Sequence, residues 1–206
     1  MTIELKKYLK VKDGNMRYVG ANQYWYKNKF HALSGCGPTS AAETMAYLAS
    51  NYPDKCRPLF SYDIDNINRE DFVLHMDSVR QLVKPGVSGL TSIDFYESRT
   101  KEFAEKRGVD LSAKQVLSDI PRNEAFSEIV KAIDNGFPVA MLILRNPFPE
   151  IDDFTWHWMN IIGYDSSNMN ITISTYGKKH ILDFNHVWHQ KFGYRTELIY
   201  FWPKED

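Results

Sequence analysis

Apolar positions recur at helical spacing through the first part of the chain and run continuously or alternate through the last part. After Cys36, Ala41, Met45 and Leu48 fall on one helical face, with Ala42, Ala46 and Ala49 beside them. So many alanines let neighbours come close and predict a buried helix. Phe72, Met76, Val79 and Val83 predict a second helix over Asn68 to Val83, stopped by Lys84-Pro85-Gly86. Phe95 to Lys106, closed by Gly108, reads as a third. Asn123 is the expected cap of a fourth, with Phe126, Ile129, Val130 and Ile133 on its apolar face and Gly136 at its end. From Pro138 the pattern changes. Val139 to Leu144 is a near-continuous apolar run, as in a strand buried on both faces. Strands are expected at Trp156 to Tyr164, Asn170 to Thr175, His180 to Phe184 and Leu198 to Trp202, with hairpin turns at Asp165 to Asn168 and at Tyr176-Gly177-Lys178. A helical first half and an antiparallel, sheet-rich second half make an α+β protein, its halves meeting along a cleft.

Composition narrows the class. The 206 residues suit a single domain over 1–206, and 43% hydrophobic with 14% aromatic residues supports a packed core. The 25 basic residues nearly balance 26 acidic ones, and no basic stripe points to nucleic acid. The first ten residues lack the apolar run of a signal peptide, and no stretch is long and apolar enough to span a membrane. Two cysteines, Cys36 and Cys56, cannot form a disulfide framework. They are expected to be reduced thiols in a cytoplasmic protein, although a single bridge between them stays open.

The segment Ser34-Gly35-Cys36-Gly37-Pro38-Thr39-Ser40-Ala41-Ala42-Glu43 carries the most chemical information. Glycines on both sides of the thiol allow a tight turn, and Pro38 suits the first turn of a helix. Ser40 and Glu43 have capping-box spacing. A thiol at a helix N-terminus feels its partial positive charge, which favours thiolate. A lone cysteine elsewhere is usually a small buried filler; the glycines and the helix start argue for a nucleophile here.

A thiol nucleophile needs a base. His157, in Phe154-Thr155-Trp156-His157-Trp158-Met159-Asn160, is the favoured partner over His31, His75, His180, His186 and His189. On a strand, Trp156 and Trp158 would point one way and His157 the other. An aromatic setting would hold the imidazole rigidly and near neutrality in its titration. The alternative is a core histidine bonded to a carbonyl. His186-x-x-His189, with His180 nearby, invites a zinc reading but lacks cysteine or carboxylate partners at ligand spacing, so no metal is expected. There is no P-loop, dinucleotide fingerprint or serine nucleophile elbow, and no cofactor is expected.

Gly35-Cys36-Gly37-Pro38-Thr39-Ser40-Ala41-Ala42 resembles the nucleophile motif of papain-fold cysteine peptidases, in particular the branch with bacteriocin-leader peptidase domains and their bacterial relatives. His157, an apolar strand and then Gly163-Tyr164-Asp165 resemble that branch's histidine motif. The resemblance implies a papain-like fold and a bacterial protein. It also implies an oxyanion-holding glutamine before the cysteine, for which Gln23 is the candidate. Thirteen positions separate Gln23 from Cys36, so an insertion must loop out between them. Papain-like enzymes carry an Asn or Asp on the strand after the histidine. Aligned on Tyr176-Gly177, Ser174 falls at that position, and a serine can accept an imidazole N–H without supplying charge.

These residues together predict a thiol hydrolase of peptide or amide bonds: Cys36 attacks, His157 moves the proton, Gln23 and the Cys36 N–H hold the oxyanion, and Ser174 orients the ring. The expected partner is a peptide or small amide substrate, with no nucleic acid or membrane. Two other readings use the same residues, a papain-fold protein that binds a peptide without turnover and an acyltransferase. The aromatic loops Tyr24-Trp25-Tyr26 and Pro147-Phe148-Pro149 are candidates to flank the cleft.

Overall fold

A computed structural model describes residues 2–190 and 193–205. In chain order the elements are β1 (Thr2–Glu4), β2 (Lys10–Asp13), β3 (Met16–Val19), α1 (Lys29–Ser34), α2 (Cys36–Asn51), α3 (Pro53–Cys56), α4 (Arg69–Arg80), α5 (Ile93–Glu105), β4 (Leu111–Val116) and α6 (Arg122–Asp134). There follow β5 (Val139–Arg145), β6 (His157–Asp165), β7 (Asn170–Thr175), β8 (Lys178–Asp183), α7 (Phe184–Val187) and β9 (Arg195–Pro203). Short 3₁₀ turns lie at Gln23–Trp25, Arg57–Leu59 and Pro149–Phe154. The N-terminal half is mainly helical and the C-terminal half an antiparallel sheet, the architecture expected.

Among the described residues seven strands form the sheet, six of them in the order β4-β9-β5-β6-β7-β8 and β1 off that path. β1 pairs with the far end of β6, Thr2 opposite Asp165 and Glu4 opposite Gly163. β2 and β3 form a separate hairpin. In the register that matters for the site, Ile143 lies opposite His157 on β5–β6, and Asn160 opposite Ser174 on β6–β7.

α2 is the central helix. Cys36 through Ala49 are all buried, and its alanines leave room for the sheet on one side and α4 on the other. Ser40 ties it to the sheet. Ser40 Oγ donates to Asn160 Oδ1 at 2.8 Å, and Asn160 Nδ2 returns a bond to the Ser40 carbonyl at 3.1 Å. Tyr96 of α5 stacks on Trp158 of β6 with centroids 4.0 Å apart, joining the helical layer to the strand that carries His157.

Several boundaries differ from the sequence expectation. α2 starts at Cys36 with Gly35 as N-cap and no side-chain cap, so Ser40 and Glu43 are interior residues and form no capping box. α6 starts one residue before Asn123, after Pro121, because proline pre-sets the φ that a helix entry needs. β1, β2, β3 and β4 interrupt the half that reads as helix and loop. They are three to six residues long, too short for a period of two to stand out.

Candidate active site

Cys36 stands at the first turn of α2, where its backbone carbonyl chain begins the helix and Thr39 N–H bonds the Gly35 carbonyl at 2.9 Å. It is 9% exposed and free, as is the fully buried Cys56. Burial pushes the Cys36 thiol up from its ordinary value. Backbone N–H groups of Trp158, Gly37 and Cys36 itself, and the charge of Arg80, pull the other way. The helix terminus therefore does not win alone. Desolvation reverses the depressed titration that the helix start predicts.

His157 opens β6 and is 4% exposed. Its strand begins abruptly because Trp156 takes φ of +52° and turns outward, its indole Nε1 donating to the Ser88 carbonyl at 2.8 Å. Trp156 is half exposed whereas Trp158 is buried, so the two do not share a face as alternation predicts. The hairpin between β7 and β8 turns on Tyr176 and Gly177, with φ of +53° and +73°, the signs of a type I′ turn. That geometry lays the Tyr176 ring over His157, centroids 4.7 Å apart and planes 12° from parallel. Tyr24 stacks on the outer side of Tyr176 at 6.0 Å.

The ring nitrogen Nε2 of His157 meets Thr175 Oγ1 at 2.7 Å. The sequence places Ser174 in this role, and the structure does not. Ser174 lies opposite Asn160, three positions from His157 and hence on the other face of β6. One residue further along, Thr175 returns to the face of His157. Ser174 instead approaches Glu43 Oε2 at 3.1 Å and the Val19 carbonyl at 3.2 Å. No carboxylate contacts the His157 ring among the described residues. With burial and nearby His180 opposing its charge, the ring titrates at about 4, well below the near-neutral value its setting suggests.

Gln23 sits in the 3₁₀ turn capped by Asn22, whose side chain accepts from Tyr24 N–H. Its Nε2 donates to the Ala32 carbonyl at 2.8 Å. The thirteen-position gap before Cys36 is thus filled by a folded helix, α1, on which Gln23 is hooked. Its Oε1 is buried without a partner. Gln23, Cys36, His157, Ser174 and Thr175 line one small cavity of about 10 Å³, the scale of a single water. No hydrogen bond joins the thiol to the His157 ring among the described residues, and none takes up ring Nδ1. Cys36 also lines a second, outer groove of about 310 Å³, walled by Phe30, Leu33, Val87, Leu90, Leu144 and Trp156. The small cavity has no room for a peptide, and Cys36 borders the larger groove as well.

A third feature has no clear signal in the sequence. Glu43, two helical turns beyond Cys36, is a buried carboxyl that receives Tyr8 OH at 2.5 Å, Ala21 N–H at 2.8 Å and Asn160 Nδ2 at 3.3 Å, besides Ser174. Burial raises it to about 7 against those donors. His75 is a core residue bonded to the Ala42 carbonyl. His186 pairs with Glu150 at 2.7 Å and stacks on Phe148, which also faces His189, and no metal-binding cluster occurs among the described residues.

A family model for the Peptidase_C39 like family matches residues 21–190, a span that contains Gln23, Cys36, His157 and Thr175. The chain belongs to this family. Its Peptidase_C39 like assignment places it in the papain-like cysteine peptidase superfamily, in agreement with a central helix that begins at Cys36 and packs on an antiparallel sheet. Among solved structures, xylellain, a cysteine protease from Xylella fastidiosa, is similar at 9% identity and a TM-score of 0.39, over 99% of this chain and 86% of its own. No curated protein matches the sequence. No helix among the described residues is long and apolar enough to cross a membrane.

Proposed function

We propose that this Peptidase_C39 like chain hydrolyses a peptide or amide bond through Cys36 and His157. The observation that supports the reading is that Cys36, Gln23 and His157, from three separate segments, line one cavity while Cys36 also borders a larger, mainly apolar groove. A substrate carbonyl lying in the groove would meet Cys36 Sγ. His157 Nδ1 accepts the thiol proton as the C–S bond forms, and the Cys36 backbone N–H and the second Gln23 Nε2 hydrogen face the developing oxyanion. Collapse of the tetrahedral adduct breaks the C–N bond, and His157 returns the proton to the leaving amine. Water then adds to the thioester by the same route, releasing the acid and regenerating the thiol. Thr175 holds the imidazole at Nε2, the role first expected of Ser174.

Turnover on a peptide panel, followed by mass spectrometry of the products, tests this. Wild-type protein should cleave, while Cys36→Ala should fall to background and His157→Gln should lose at least a hundredfold. The rate should persist in mild acid and fall through about pH 4, where the His157 ring takes up a proton. A panel with no cleavage by the wild type would sink the reading. The burial of the thiol and the neutral Thr175 favour a second one, peptide binding without turnover; tight binding by wild type and Cys36→Ala alike would then be seen. An amide product formed only with added amine would instead indicate acyl transfer.

A further inference from the structure

Arg80 ends α4 and is 6% exposed. A guanidinium stays charged at any working pH, and a buried charge is costly unless paired. Its pairing is incomplete. Nη2 donates to Ser34 Oγ at 3.0 Å, the group rests 5.7 Å from the centre of the Tyr26 ring, and Nη1 is buried with no partner. Among the described residues no carboxylate lies within ion-pair distance of it. Asp77, one turn earlier on α4, acts on it only from further away.

These contacts place the charge beside the nucleophile turn. Ser34 is two residues before Cys36. The Tyr26 ring lies so close to Gly35 that a Cβ there would come within 2.6 Å of it. Tyr26 is therefore sandwiched between the turn and Arg80, and Arg80 acts electrostatically on Cys36. The other ionisable groups facing the thiol are the phenols of Tyr26, Tyr96 and Tyr176, all shifted upward by burial and so neutral in the working range. His157 lines the same cavity, and among the described residues its charged form has no anionic partner.

We infer that Arg80 is the counter-charge of the Cys36 thiolate, a positioning residue that does the electrostatic work usually given to an imidazolium. His157 then serves as a proton carrier and adds little to the resting ionisation of the thiol. This rests on Cys36 being the nucleophile, but its readout needs no substrate, so absence of turnover and failure of the Arg80 role are separate results.

The test is the pH dependence of iodoacetamide alkylation, read at Cys36 by peptide mass spectrometry so that Cys56 does not interfere. Arg80→Met should raise the Cys36 midpoint by about one pH unit, a tenfold slower alkylation at fixed pH below it. Arg80→Lys should stay near wild type. His157→Gln should move the midpoint less than Arg80→Met does. Because Arg80→Met could fail to fold, Asp77→Asn at a partly exposed site provides a second arm. Removing the competing carboxylate should speed alkylation about twofold. A wild-type midpoint in folded Arg80→Met, a larger shift in His157→Gln, or no acceleration in Asp77→Asn would each overturn the assignment.

Discussion

Among the described residues, the hydroxyl of Thr175 is the one side-chain partner of His157 Nε2. It fixes ring orientation without adding charge, so its contribution is that of a single neutral hydrogen bond. Thr175→Val keeps the shape and removes the bond. Turnover should fall about tenfold, the kinetic equivalent of roughly 1.4 kcal/mol, with little change in substrate binding. Ser174→Ala should leave the rate within about twofold while lowering the melting temperature, since Ser174 bonds Glu43 and not the ring. Equal kinetic losses in both variants would contradict the face assignment. The position of Thr175 was nearly legible in the sequence. The strand and the histidine could be read, but the period of two turns a one-residue error in alignment into the wrong face. Arg80 left no such trace, because a lone arginine at the end of an amphipathic helix ordinarily faces water.

At the scale of elements, α2 owed its legibility to alanine, and its buried carboxyl was misread for a local reason. A glutamate three residues after a serine fits a cap, and nothing nearby in the sequence shows that Tyr8, Ala21, Asn160 and Ser174 converge on it. The turn leading from β3 shows how closely that convergence is packed. Gly20 has φ of +68°, and a Cβ there would fall 2.2 Å from Ser174 Oγ and 2.6 Å from Glu43 Oε2. Gly20→Ala combines a left-handed backbone with a clash against a buried network. It should destabilise the protein by about 2 kcal/mol or more, measured by urea unfolding. Gly14, also at positive φ but with open space around it, is the control: Gly14→Ala should cost less, its penalty being conformational alone.

Across the whole molecule, Glu43 ties the N-terminal segment, α2 and the adjacent strands β6 and β7 to one buried carboxyl, which makes the joint between the halves sensitive to pH. Its folded titration, raised by burial to about 7, means that the native state keeps a proton that the unfolded chain has released above about 4.5. Stability from this group therefore falls as pH rises through that window. A protonated Glu43 also suits its surroundings, because Ser174 has one hydroxyl proton and two neighbouring acceptors, Val19 carbonyl and Glu43. His157 and His75 act in the opposite direction. Burial lowers them to about 4 and about 3, so the unfolded chain binds protons that the native state refuses, and stability falls as pH drops below about 6.5. Between 4.5 and 6.5 these two histidines, joined by His180, which burial also lowers, oppose one carboxyl, and above 6.5 the carboxyl prevails, placing the optimum near pH 6.5. Urea unfolding of wild type and Glu43→Gln from pH 4.5 to 8 isolates the carboxyl, since the histidines are common to both. The variant starts out less stable, its amide facing donors. The gap should close by on the order of 3 kcal/mol as pH rises. A gap that stays constant across the range would mean that Glu43 is ionised throughout, and that the joint between helix and sheet is held by a buried charge.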